Sequence, residues 1–336
     1  MDHSNKDIDR STNHPETEET AETIERPPSS SQGVPPQKIY GPLSFPVLAL
    51  LMPASVFGVL ARLGLLALMN YDGHSVFPLA YVQAVGCLIM GFAVKLKPAF
   101  GFCGSLTTFS TWQLDVFNAW INANNFSRSG LGNFLDGIGL STITLSLALA
   151  SLSFGQSIAS ILAPHIHQFT TPARPFRYGL SCISVLTYAA TLLPYFLLPS
   201  RLRHEVTAAL VFSYPGALLR YLLSVFLNPR SKAVPLGTLT ANSLGTVLLA
   251  AFHVLQSTTI PPSPNRCAIL QGLSDGLCGS LTTVSTFAAE VYDLEPFSAS
   301  RYVLISWGCG QILMVLVFGT SLWTGRVEKI PTCIYQ

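Results

Sequence analysis

Two threonine-rich segments carry the residues best placed to do chemistry in this chain. Residues 101–111 read GFCGSLTTFST and residues 276–286 read GLCGSLTTVST, agreeing at nine of eleven positions. A glycine and two threonines in mid-helix weaken the hydrogen-bond ladder. Carbonyls freed in this way are tolerated in a membrane only against protein, water or an ion. Two such breaks meeting at one point would aim main-chain oxygens at a hard cation. Packing is the other reading of the same residues. Gly101/Ser105 and Gly104/Thr108 are small pairs four apart, which let helices approach closely.

Aromatic and polar residues cluster around these segments in matching positions. Phe109 and Trp112 in the first segment correspond to Val284 and Phe287 in the second. Ring edges are electropositive and can face an anion without a full charge; contact with lipid or core is the alternative. Gln83 and Asn242 are amides in apolar surroundings, suited to donate to an anion or to a neighbouring helix. Arg62 and Arg220 interrupt apolar stretches. An arginine inside a membrane costs at least about 2.5 kcal/mol. Each marks function unless it snorkels to the interface. Tyr302 and Ser306 lie four apart with Gln311 nearby, and Thr142 and Ser146 form a similar pair. Hydroxyl tracks can hydrate a small anion, or simply bond their own helix.

The catalytic sets of enzymes are missing. No Ser/His/Asp order with elbow glycines occurs, and no phosphate loop. The cysteines show no CxxC or Cys/His spacing, so neither a metal site nor a disulfide framework is expected. The basic residues form no stripe, which gives no nucleic-acid signal. His253 falls in an apolar span and reads as a satisfied interface histidine. Asp115 lies in the third span, while Asp275 and Glu290 flank the eighth. So few acids argue against a proton-coupled carrier.

The elements that must hold these residues follow from composition. The chain is 49% hydrophobic and 11% charged, against about 25% charged residues in soluble domains. Its charges concentrate in the first 44 residues, a Ser-, Pro-, Glu- and Thr-rich stretch expected to be disordered. A lipid bilayer is the expected solvent for the rest. A bilayer-crossing helix needs about 20 apolar residues. Stretches 45–69, 76–96, 100–122, 135–159, 178–199, 204–227, 235–256, 268–291 and 300–323 meet this, giving nine spans in an all-α membrane protein.

Self-comparison sets their organisation. GVLARLGLL at 58–66 pairs with GALLRYLLS at 216–224, aligning Arg62 with Arg220. PLAYVQAVGCLIMG at 78–91 pairs with PLGTLTANSLGTVLLA at 235–250, aligning Gln83 with Asn242. With the threonine segments, three blocks recur in the same order. The implied layout is a four-helix repeat at 45–160, a loop and linker span at 161–203, a second repeat at 204–325 and a tail at 326–336. One linker span turns the second copy over, so the repeats are expected to be inverted, as in many transporters.

With the N-terminus inside, eight basic residues fall on inner segments (Lys38, Lys95, Lys97, Arg174, Arg177, Arg230, Lys232, Arg301). Six fall on outer ones (Arg128, Arg201, Arg203, Arg266, Arg326, Lys329), which favours that orientation. Asn125-Phe126-Ser127 is then an outward glycosylation sequon.

The paired signature, the arginines of GVLAR and GALLR and the asparagine of PLGTLTANSLG resemble the fluoride exporter family, the CrcB/Fluc channels. The two-copy form resembles its eukaryotic, fungal FEX type over about residues 45–325. The resemblance implies a passive fluoride-selective channel in the plasma membrane, monomeric as a fused pseudo-dimer, exporting fluoride from the cytoplasm. It also implies a structural sodium ion held by backbone carbonyls of Gly104, Thr107, Gly279 and Thr282. In the family each pore takes one aromatic from each copy. One pathway would then hold intact Phe109 and Phe287, with Asn242, Tyr302, Ser306 and Arg220. The other would hold altered Val284 and Trp112, with Gln83, Arg62, Thr142 and Ser146. One working pore is therefore expected. A proton-coupled fluoride transporter is the alternative.

Overall fold

The computed structural model describes residues 41–69, 77–96, 101–165, 174–197, 206–231 and 233–333. The expected disordered stretch lies outside the described residues as far as residue 40. Among the described residues the chain is helical, with one isolated bridge between Thr258 and Val327.

Thirteen α-helices are named here in chain order. The first repeat holds α1 (Phe45–Met69), α2 (Pro78–Leu96), α3 (Gly101–Leu106), α4 (Phe109–Trp120) and α5 (Gly130–Leu162). Helix α6 (Arg174–Leu197) follows as the connecting element. The second repeat holds α7 (Ala208–Leu227), α8 (Leu236–Gln256), α9 (Pro264–Gly272), a π-helical turn Leu273–Cys278, α10 (Gly279–Leu281) and α11 (Ser285–Asp293). It ends with α12 (Pro296–Met314), a π-helical turn Val315–Gly319 and α13 (Thr320–Trp323). Among the described residues, seven helical stretches are long and apolar enough to cross a membrane. Two expected spans, 100–122 and 268–291, are instead interrupted helices.

The interruptions fall where the sequence places Gly-Ser-Leu-Thr-Thr. Thr108 is extended (φ −141°, ψ 122°), as is Thr282 (φ −91°, ψ 153°). The rest of the fold closes around these points. Helix α1 passes so near α3 that a Cβ on Gly58 would lie 2.7 Å from Phe102 O and 2.8 Å from Ser105 Cβ. At the matching position, a Cβ on Gly216 in α7 would strike Leu277 O. Glycine is what permits both approaches.

Past each break the chain crosses into the other repeat. Helix α4 packs on α8 and α12, while α11 packs on α2 and α5. Accordingly Val284 and Ala288 sit in a cluster with Leu79, Phe109, Trp112 and Leu152. Leu114 and Phe117 sit with Leu249, Ala250, Met314 and Phe318. Neither repeat has a complete core without the other.

The structure corrects the cysteine reading. Cys267 and Cys333, 66 residues apart, form a disulfide. The segment before Cys333 is hydrogen-bonded to the α8–α9 connection through Glu328 N to Ser257 O (2.7 Å) and Thr332 N to Gln256 O (2.9 Å). Spacing could not announce this bond, because tertiary docking of the last residues brings the two sulfurs together. The other five cysteines are free.

Candidate functional site

The two breaks form one site, and each repeat completes the other's half. Thr107 and Thr282 occupy equivalent positions. Thr282 Oγ1 accepts from Phe109 N (3.1 Å) and Ser110 N (3.2 Å), the first amides of α4. Thr107 Oγ1 accepts from Val284 N (3.2 Å) and Ser285 N (3.0 Å). Each hydroxyl donates to its own helix, Thr282 to Cys278 O (2.9 Å) and Thr107 to Cys103 O (3.0 Å). Each threonine thus caps the helix of the opposite repeat. A side-chain cap three positions or fewer away is readable in sequence; a cap donated by a residue about 170 positions away is not.

The amides hold the breaks open. Gln83 Nε2 donates to Thr108 O (2.6 Å), and Thr108 N donates to Gln83 Oε1 (3.2 Å). Asn242 does the same at Thr283, through Nδ2 to Thr283 O (3.2 Å) and Thr283 N to Oδ1 (2.9 Å). In an unbroken helix Thr108 N would serve Gly104 O, and Thr283 N would serve Gly279 O. Both amides therefore bond the neighbouring backbone, and each keeps a second N–H.

The arginines follow the same reciprocity. Arg62 Nη2 donates to Asp275 O, and Arg220 Nη2 donates to Gly101 O at 3.3 Å. The guanidinium of Arg62 packs on Gly279 and that of Arg220 on Gly104. Both side chains are buried, at 2% and 7% exposure, so they do not snorkel to an interface. Ser55 and Ser213, another equivalent pair, meet directly at 3.2 Å. Self-pairing of equivalent residues, with reciprocal contacts around them, is the signature of two-fold symmetry.

The four aromatic-box positions are fully enclosed, which excludes the lipid-contact reading. Phe109, Trp112, Val284 and Phe287 are each 0–1% exposed. Phe109 meets Phe287 edge to face at 5.7 Å and Trp112 at 5.4 Å. Phe287 meets Tyr302 at 5.0 Å. Ser306 lies one turn along α12, buried. Val284 breaks the corresponding aromatic chain on the other side. Thr142 lines an apolar pocket with Trp112, Ser141 and Trp307, whereas Ser146 is not brought to the site. Both lie on an exposed face of α5, where the Thr142 hydroxyl bonds Ile138 O.

Glu290 is the residue the sequence reading missed. Its carboxylate accepts from Tyr302 OH (2.8 Å), Thr238 Oγ1 (2.6 Å) and Asn228 Nδ2 (3.2 Å). Its equivalent, Asp115, lines an open cleft at the far end of α4 with Asn118, His253 and Lys329. Glu290 sits at a span end, where a carboxylate ordinarily reads as solvated. His253 also departs from expectation. It is buried against Phe318 (4.5 Å), and its Nε2 has no hydrogen-bond partner among the described residues.

The family described as CrcB-like protein, Camphor Resistance (CrcB), matches residues 49–155 and again 207–319. The chain belongs to this family. Each match is one repeat, so the internal duplication is a duplication of the CrcB unit. The chain is 32% identical over 301 residues to Fluoride export protein 1 of Schizosaccharomyces pombe, covering 82% of this chain and 96% of that one. It is 29% identical over 317 residues to Fluoride export protein 1 of Candida albicans, covering 83% and 81%. A single-unit relative, Fluoride-specific ion channel FluC 1 of Staphylococcus epidermidis, is 41% identical over 91 residues, 27% of this chain and 69% of its own. No solved structure matches the chain.

Proposed function

We propose that this CrcB-family chain is a passive fluoride-selective channel that exports fluoride across the plasma membrane through one working pathway. The observation that carries the reading is the pair of reciprocally capped breaks surrounded by buried ring edges, in a chain whose relatives are named for fluoride export.

The proposed layout is nine crossings, with two inverted four-helix repeats joined by α6. Ser55 meets Ser213 in the interior of α1 and α7. The breaks meet midway along the two interrupted helices. A two-fold axis through both mid-helix points would lie in the membrane plane, which supports inversion. Nine crossings place residues 257–263, Cys267, Cys333 and Asn125 on one side. A disulfide belongs to an oxidising compartment, which supports that side as the outer one.

Phe109, Phe287, Asn242, Tyr302, Ser306 and Arg220 are assigned to the working pathway. Its rings and hydroxyls are continuous, whereas Val284, Trp112 and Gln83 interrupt the second. A small anion sheds much of its hydration in such a path. Ring edges, hydroxyls and the second amide N–H of Asn242 replace it without a charge that would trap the ion. A negative-inside potential drives an anion outward with about 2.3 kcal/mol per 100 mV. Gly104, Thr107, Gly279 and Thr282 fit a structural sodium ion through main-chain oxygens. The donors that would occupy Gly104 O and Gly279 O are diverted to Gln83 and Asn242. Such an ion would supply fixed positive charge beside the pathway.

Glu290, bonded to Tyr302, supports keeping a proton-coupled fluoride transporter as the second reading. Growth of an exporter-deleted cell on fluoride tests the function itself. This chain should restore growth, and failure to do so would overturn fluoride export.

A further inference from the structure

The outer half of the working pathway is unassigned beyond Ser306, and two glutamines meet there. Gln113 on α4 is fully buried. It lies one turn after Phe109, on the same face. Gln311 Nε2 donates to the backbone oxygen of Gln113 (3.0 Å) and to its side-chain Oε1 (2.7 Å). This arrangement fixes the orientation of both amides. A backbone oxygen can only accept, so the Gln311 atom facing it is nitrogen. That nitrogen then requires oxygen from the Gln113 side chain. Gln113 Nε2 is left buried, pointing away from Gln311, with no partner among the described residues.

Ser306 Oγ is likewise buried beside Tyr302, with no other hydrogen-bond partner among the described residues. Tyr302, Ser306 and Gly310 share one face of α12, at successive turns. Gly310 faces Gln113 so closely that a Cβ there would lie 2.8 Å from its Cγ and Oε1. Two such donors therefore follow Phe109, Phe287 and Tyr302 along one face. A buried donor without an acceptor costs about 1–3 kcal/mol, so two in succession call for an acceptor from outside the protein, a water or an ion. The residue equivalent to Gln113 in the second repeat is Ala288, which donates nothing.

Resting on the channel reading above, the geometry points to Gln113 Nε2 as a fluoride contact. It continues the working pathway outward from Phe287 and Ser306, with Gln311 as the residue that positions it. The second pathway lacks this donor as well as its phenylalanine.

Gln113→Glu separates contact from structure. Its carboxylate still accepts from Gln311 Nε2, so the helix contact survives, while the free donor becomes an acceptor. Gln113→Met removes both. Voltage-driven fluoride efflux from proteoliposomes, with monodisperse elution as the folding check, should fall about tenfold or more in Gln113→Met at any pH and in Gln113→Glu at a pH alkaline enough to ionise a buried carboxyl, the scale of one lost charge-assisted hydrogen bond. Lowering the pH equally on both sides protonates the introduced carboxyl and restores a donor. Efflux through Gln113→Glu should then recover relative to wild type, while Gln113→Met should not. Wild type at each pH carries the titration of Glu290, Asp115 and His253, and protein-free vesicles the leak of neutral acid. Efflux through Gln113→Met equal to wild type, or a loss in Gln113→Glu that is the same at alkaline and acid pH, overturns the assignment. A wild-type protein that passes no fluoride overturns the channel reading instead.

Discussion

Replacing Thr282 with valine removes one hydroxyl and leaves the side-chain shape unchanged. That hydroxyl accepts from Phe109 N and Ser110 N, donates to Cys278 O, and also meets the hydroxyls of Thr108 and Ser110. The first two amides of α4 would be orphaned in the buried interior. Each buried unsatisfied amide costs about 1–3 kcal/mol, and loss of a helix cap about 0.5–2 kcal/mol. Ser110 Oγ lies 3.0 Å from Thr282 Oγ1 and would lose that neighbour as well. The expected cost is about 2–4 kcal/mol, seen as a thermal midpoint several degrees lower in detergent. Because Thr107 caps α11 through equivalent bonds, Thr107→Val should cost a similar amount. Fluoride efflux should fall in both, since α4 and α11 carry Phe109 and Phe287. A Thr282→Val protein with the wild-type midpoint would refute the reciprocal-cap argument. So would a loss confined to one of the two variants.

Further outcomes follow from other contacts. Phe287→Ala or Asn242→Ala should abolish fluoride resistance in an exporter-deleted cell, while Val284→Ala should leave it intact; equal damage from both classes would contradict a single pathway. Cys333→Ser opens a 66-residue loop and should lower stability by up to about 4 kcal/mol, with the wild type alone changing gel mobility on reduction. Gly155→Ala sets a methyl group against Leu88 O in the α2–α5 contact. It should cost about 1–3 kcal/mol by overpacking, read as a lower thermal midpoint.

The comparison of sequence with structure divides by the range of the interactions. The duplication and both breaks were legible, because Gly104-Ser105-Leu106-Thr107-Thr108 and Gly279-Ser280-Leu281-Thr282-Thr283 repeat a local conflict with helix geometry. The function of those threonines was not legible. Their hydroxyls act on amides of the other repeat, and nothing local marks a cap that crosses between α10 and α4. Ser146, on an exposed face of α5, shows the opposite case. Hydroxyls four apart look like a track, but lipid is as apolar as a protein core, so periodicity does not tell a buried face from a lipid-facing one. Glu290 was set aside as a flanking charge, and only the fold brings Tyr302, Thr238 and Asn228 around it. In sequence alone the arginines fit snorkelling and function equally. Packing of Arg62 on Gly279 and of Arg220 on Gly104 decides for the interior. The disulfide was invisible for the same reason as the caps.

The account rests on an uncoupled path for a bare anion between the two repeats. Its most direct test is fluoride efflux from proteoliposomes, driven by a potassium–valinomycin potential with equal pH on both sides. The account predicts rapid, fluoride-selective efflux whose direction reverses with the sign of the potential and which Phe287→Ala eliminates. Efflux that appears only when a proton gradient is imposed would contradict it.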